Sequence, residues 1–100
     1  MKVVISNNVE TFLKDLSEKE VAKVIHTLEL LETFGHELGL PHSRHMGDGL
    51  IELRISGKRS IRIFYCYGKQ SAFLLHAFIK KKQQTPKKEI KIARGKMSDL

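Results

Sequence analysis

With 100 residues, 41% of them hydrophobic, the chain has material for one core and none for a second, so a single domain over residues 1–100 is expected. The net charge of +7 is divided unevenly: up to Leu50 there are 5 basic and 8 acidic residues, and beyond it 13 and 3. A polyanionic partner on the second half follows from that asymmetry. Cys66 stands alone, which excludes an intrachain disulfide framework and a cysteine-built zinc site and suits a reducing compartment. The N-terminus turns polar after Ile5 and no run approaches ~20 apolar residues, so we expect a cytoplasmic protein with no signal peptide and no membrane partner.

Val3, Val4 and Ile5 are consecutive β-branched residues and predict a short strand over Lys2 to Ser6. Asn7 and Asn8 offer N-caps to a short helix whose stripe is Val9, Phe12, Leu13 and Leu16. Ser17-Glu18-Lys19-Glu20 is a capping box. It opens a longer helix with Val21, Val24, Ile25, Leu28 and Leu31 on one face, reaching Phe34 with Gly35 at the C′ position. His36 to Gly49, with Gly39, Pro41, Gly47 and Gly49, shows neither period and is expected to be a long functional loop.

The period then switches to two. Ile51, Leu53 and Ile55 alternate with Glu52 and Arg54, and Ile61, Ile63, Tyr65 and Tyr67 alternate with Arg62 and Phe64. Turns fall at Ser56 to Arg59 and Tyr67 to Gln70. Ala72 to Ile79 is almost continuously apolar, as in a strand buried on both faces. Thr85 and Pro86 start a lysine-rich helix, with Pro at the first helical position and Ile90 and Ala93 as its apolar edge. The expected product is an α+β domain: a short N-terminal strand, two helices packed on one face of a small antiparallel meander, and a C-terminal helix. The other sheet face is expected to stay partly open, as a floor for a phosphodiester backbone.

The stretch Gly49 to Met97 resembles the C-terminal half of RelE/ParE superfamily toxins, in the HigB-like or phage Gp49-like branch. Its most specific pieces are Gly49-Leu50-x-Glu52-Leu53-Arg54, the Ile61-Arg62-Ile63-Phe64-Tyr65 strand, and Leu75 to Lys81 running into Thr85-Pro86-Lys87-Lys88-Glu89-Ile90. The preceding helices and the loop are similar too. The resemblance implies a RelE-like fold and the toxin of a type II toxin–antitoxin pair, which in the mRNA-cleaving members is a ribosome-dependent endoribonuclease. It further implies a helix-turn-helix, HigA-like antitoxin and contact with operator DNA only through the toxin–antitoxin complex. A ParE-like inhibitor of DNA gyrase is the competing reading. Well-known RelE members place lysines where this chain has Leu50 and Glu52, so their general base has no counterpart here.

RNA cleavage without a metal needs a group to take the 2′-OH proton, one to protonate the leaving 5′-oxygen, and positive charge on the phosphorane. Arg62 suits the last task, since arginine keeps its proton. Flanked by apolar Ile61 and Ile63, it is expected to leave the sheet toward solvent. Arg54 shares its face if the hairpin is centred on Lys58. In the run Lys80 to Lys82, mutual repulsion can lower a lysine pKa, which makes Lys80 and Lys81 candidates for proton transfer and Lys82 a phosphate contact. His45 lies in the loop beside Arg44 and His42, and histidine as a residue type, with an unperturbed pKa near ~6.5, suits proton transfer. Arg44, Lys58, Arg59, Lys87 and Lys88 are expected phosphate contacts. His42-x-x-His45 lacks acidic or cysteine neighbours and makes a poor zinc site, so neither metal nor cofactor is expected. His76, Tyr65 and Tyr67 are read as core or sheet-face residues. Phe64 is either a base-stacking platform or packing under the C-terminal helix.

Overall fold

A computed structural model describes residues 1–100. Strand β1 (Lys2–Ile5) leads into helices α1 (Asn7–Lys14) and α2 (Glu18–Phe34), followed by one 3-10 turn at Gly35–Glu37. Strands β2 (Ser43–Gly47), β3 (Leu50–Ile55), β4 (Ser60–Gly68) and β5 (Ser71–Lys80) then form a meander, and helix α3 (Lys87–Ser98) closes the chain. The sheet order is β1-β5-β4-β3-β2, antiparallel except for β1, which runs parallel to β5. No helix is long and apolar enough to cross a membrane.

The capping box of α2 forms as expected: Glu20 N–H donates to Ser17 Oγ, and Ser17 N–H to Glu20 Oε1. The cap of α1 differs from expectation, because Ser6 occupies it and donates its hydroxyl to Asn8 Oδ1. Pro86 is likewise the N-cap of α3 rather than its first residue. Beneath α1 and α2 lies the main core, where Val9, Val24, Leu28 and Leu31 meet Ile51, Leu53, Ile61, Ile63, Tyr65 and Leu74.

Two expectations are corrected here. The His36 to Gly49 segment is not all loop, since Ser43–Gly47 is an edge strand on β3. It shows no apolar alternation because only Ser43 is buried, and an edge strand needs no second apolar face. The turn after it, Gly47-Asp48-Gly49, holds all three residues at positive φ (95°, 52° and 85°), which is why glycines flank it. Nor is the second sheet face as open as expected. Helix α3 covers it through Ile90, Ala93 and Met97 on Leu50, Phe64, Cys66, Leu75 and Phe78. Phe64 is thereby fully buried, which decides for packing over base stacking.

A bulge in β5 fixes how α3 docks. Phe64 pairs with His76 but Tyr65 pairs with Leu74, so Leu75 is an extra residue and both Leu75 and His76 turn toward α3. There His76 Nε2 lies 2.8 Å from Glu89 Oε1, and the Leu75 carbonyl accepts from Asn8 Nδ2 on the other side. At its far end α3 is tied down by Arg94, which donates to the Met46 and Gly47 carbonyls.

The β3–β4 hairpin is clamped to α2 by Arg59, whose Nε and Nη2 donate to the two Glu20 carboxylate oxygens at 2.8 and 2.7 Å. These bonds, with the Ser17 backbone N–H, hold the Glu20 carboxyl at about 2 rather than its ordinary 4.5. The clamp therefore acts fully above pH 4.5 and is lost as pH falls toward 2. In an Arg59→Ala variant the Glu20 titration followed by carboxyl NMR is expected to move back up toward the ordinary value; an unmoved midpoint would assign the shift to the capping box alone.

Candidate functional site

Strand alternation and register bring distant residues onto one face. Across the sheet, Arg44 pairs with Glu52 and Glu52 with Phe64; in the next row Arg54 pairs with Arg62 and Arg62 with Phe78; then Ser60 pairs with Lys80. The hairpin is centred on Lys58, as the expectation for Arg54 and Arg62 required. Because α3 starts only at Lys87, the sheet corner holding these rows is left uncovered. It forms a concavity of about 380 Å3 lined by Arg44, Arg54, Arg62 and Lys80, with Glu52 the only carboxylate.

Arg62 is 5% exposed. It does not reach into solvent, contrary to expectation, but lies low in the concavity against Glu52, with Arg44, Arg54 and Lys80 around it. Its Nε lies 3.7 Å from Glu52 Oε1 and makes no hydrogen bond, while Nη1 donates to the Ile61 carbonyl at 3.1 Å. Burial pushes the guanidinium below its ordinary pKa range, Glu52 opposes that shift, and Arg54 and Arg44 add to it. Arginine nonetheless stays cationic at neutral pH. Glu52, 2% exposed, is also 4.0 Å from Arg44 Nε and accepts a 2.8 Å hydrogen bond from Thr85 Oγ1. One buried carboxylate thus joins β2, β3, β4 and the segment leading into α3.

The other expected site residues divide plainly. Arg44, Arg54, Arg62 and Lys80 converge on the concavity, and Lys80 Nζ donates to the Gln83 carbonyl at 2.6 Å. Lys81 and Lys82 are exposed beyond the end of β5 and do not line it. His45 pairs with Ile51, so it sits on the opposite sheet face from Arg44 and Arg62, exposed. Lys58 and Arg59 lie at a different cleft, beside the start of α2, where Glu20 occupies Arg59. Lys87 and Lys88 are exposed in the first turn of α3. Glu52 and Thr85 are the members that sequence reasoning missed as site residues. The signal for Glu52 was its spacing of two from Arg54 on a strand facing the arginine-bearing one.

Four cations around one buried, already paired carboxylate suit a bound anion. Among the lining groups, Lys80 and Glu52 can change protonation state; the arginines cannot. Burial pushes the Cys66 thiol and the Tyr65 phenol up, so neither ionises near neutrality. No three His, Cys, Asp or Glu side chains converge as metal ligands.

An N-terminal strand, a helical pair on one sheet face, a C-terminal helix on the other and a basic pocket at the uncovered corner define a RelE-like α+β toxin fold. The family profile described as Phage derived protein Gp49-like (DUF891) matches residues 11–98, and the chain belongs to that family. It is a RelE-like toxin family, and as such it implies a cognate antitoxin as partner. No curated protein matches the chain.

Removing Glu52 leaves Arg62 a buried, uncompensated charge, so Glu52→Ala is expected to cost about 3 kcal/mol of stability in urea unfolding. Glu52→Gln, which keeps an acceptor for Thr85, is expected to cost less. An unchanged midpoint for Glu52→Ala would show that Arg62 needs no internal counter-ion.

Proposed function

We propose that this protein is the toxin of a type II toxin–antitoxin module and an endoribonuclease that cuts messenger RNA on the ribosome, held inactive by its antitoxin. The observation that carries this reading is the buried Arg62 on the floor of a concavity ringed by Arg44, Arg54 and Lys80. The scissile phosphate sits against Arg62. The ribose 2′-oxygen loses its proton and attacks phosphorus, and the 5′-oxygen departs with a proton, leaving a 2′,3′-cyclic phosphate and a 5′-hydroxyl. The three arginines stabilise the dianionic phosphorane, a charge that develops only in the transition state. Lys80, the one lysine of its run that reaches the pocket, serves proton transfer. Lys81, Lys82, Lys87 and Lys88 hold backbone phosphates at the rim. In this reading the protein acts in the cytoplasm.

Arg54 gives the cleanest test, because it is half-buried and has no carboxylate partner, so its loss leaves no orphaned charge. Arg54→Ala is expected to fold normally and to lower cleavage of ribosome-bound message about 10-fold or more, and Arg62→Ala about 100-fold, each comparable to deleting a transition-state hydrogen-bond donor. Arg62→Lys recovers only part, since a point charge does not reproduce the planar fork. Primer extension on message after induction reads the outcome, with folding checked by thermal melts. Intact message alongside cleaved or abnormally supercoiled DNA would overturn the reading in favour of gyrase poisoning.

A further inference from the structure

Pairing of β2 with β3 stops at Ser43 opposite Leu53. Beyond it the chain turns away at Pro41 and His42, and the Arg54 N–H is taken by the His42 carbonyl at 2.8 Å. The sheet edge from Arg54 to Ser56 is therefore notched. In the notch lies a second cleft, of about 500 Å3, lined by Lys23, His26, His42 and Arg54 among others, with no carboxylate. Arg54 lines both this cleft and the concavity over Arg62, so the two meet around the edge of the sheet. Lys23 and His26 are exposed on α2, and Lys23 Nζ is held over the hairpin by a 3.3 Å bond to the Ser56 carbonyl. On the far side of Lys23 a third cleft begins, but Glu18 and Glu20 line it and Glu20 claims Arg59. The basic path ends there.

We infer that this notch is a second subsite for single-stranded RNA, seating the phosphodiester adjacent to the one held over Arg62. Lys23 and Arg54 supply the charge, and the ring N–H groups of His26 and His42 donate to phosphate or ribose oxygens. The inference rests on the ribonuclease reading and extends it: the strand wraps the sheet edge from the α3 face to the α2 face. This explains why the acidic first half of the chain contributes a lysine and two histidines where it borders the pocket.

The test uses the full chain and two 2′-O-methyl RNA oligomers, which cannot supply the attacking hydroxyl: a dinucleotide and a hexanucleotide, titrated by fluorescence anisotropy at several salt concentrations. The wild type is expected to bind the hexamer more tightly and with a steeper salt slope. Lys23→Gln is expected to reduce the hexamer's slope by about 0.7, the contribution of one phosphate contact on a single strand, and to leave the dinucleotide unchanged. His26→Gln with His42→Gln is expected to weaken the hexamer without changing the slope. Thermal melts identify any variant that fails to fold, and Lys23→Arg, which restores the charge, is expected to restore the slope. Hexamer binding unaltered in folded variants overturns the inference and leaves the ribonuclease reading standing. So does a wild type that binds both oligomers equally. A wild type that binds neither overturns the inference, and the ribonuclease reading is then decided by primer extension on ribosome-bound message.

Discussion

The pairing of Arg62 with Glu52 is the interaction around which this domain is arranged. An arginine at 5% exposure pays a desolvation cost of several kcal/mol, and a carboxylate 3.7 Å away offsets it only when further groups complete the set. Thr85, bonded to the other carboxylate oxygen, is such a group, whereas Arg44 from the edge strand attracts Glu52 but repels Arg62. Strands β3 and β4 and the segment leading into α3 must therefore be correctly placed before the charge is tolerable. The β5 bulge, the His76–Glu89 contact and the Arg94 bonds to the β2–β3 turn can each be understood in that light. They hold α3 at the position where its N-terminal approach delivers Thr85 to Glu52 and its body stops short of Arg62.

Much of this was legible in the residues. The period of two at Ile51 to Ile55 and Ile61 to Tyr67 placed Arg54 and Arg62 on the face opposite the isoleucines, and a turn centred on Lys58, the condition under which the two pair, is the one the structure adopts. The capping box at Ser17 reported its helix start for an equally local reason. What escaped was set by contacts between segments far apart in sequence. The edge strand Ser43–Gly47 buries only Ser43, so no apolar periodicity marks it. Arg62 reads locally as an exposed strand residue, and nothing near it in sequence announces that it lies buried against Glu52, which Thr85 in turn holds. Lys80, Lys81 and Lys82 are indistinguishable as a run. Only the end of β5 separates the one that faces the pocket from the two that do not.

The charge asymmetry also takes a more specific form in three dimensions. The acidic first half supplies α1 and α2, whose carboxylates are at the helix starts or on exposed turns, while the basic second half supplies β3, β4, β5 and α3. The boundary between them is not a clean divide. At the hairpin, Glu20 neutralises Arg59 and so removes one cation from the surface; at the sheet edge, Lys23 and His26 extend the basic surface onto α2. Net charge alone draws a polyanion to the whole second half. The pairing of some cations and the freedom of others turns that general attraction into a path.

A buried arginine at such a site is a costly choice, and its cost explains its use. An exposed guanidinium would have to shed water and settle its rotamer when a phosphate arrived, so part of its attraction would be spent on reorganisation. Arg62 is already desolvated and fixed by the Ile61 carbonyl and Glu52. Donors held in this way are worth most against charge that appears during reaction, because nothing must move when it appears. Glu52 sets the limit on that advantage, since the carboxylate that makes burial affordable also repels an incoming anion. Arg44, Arg54 and Lys80 around the rim outweigh it, so the pocket is attractive as a whole while its floor stays rigid. Stability and anion affinity are thus drawn from the same few residues.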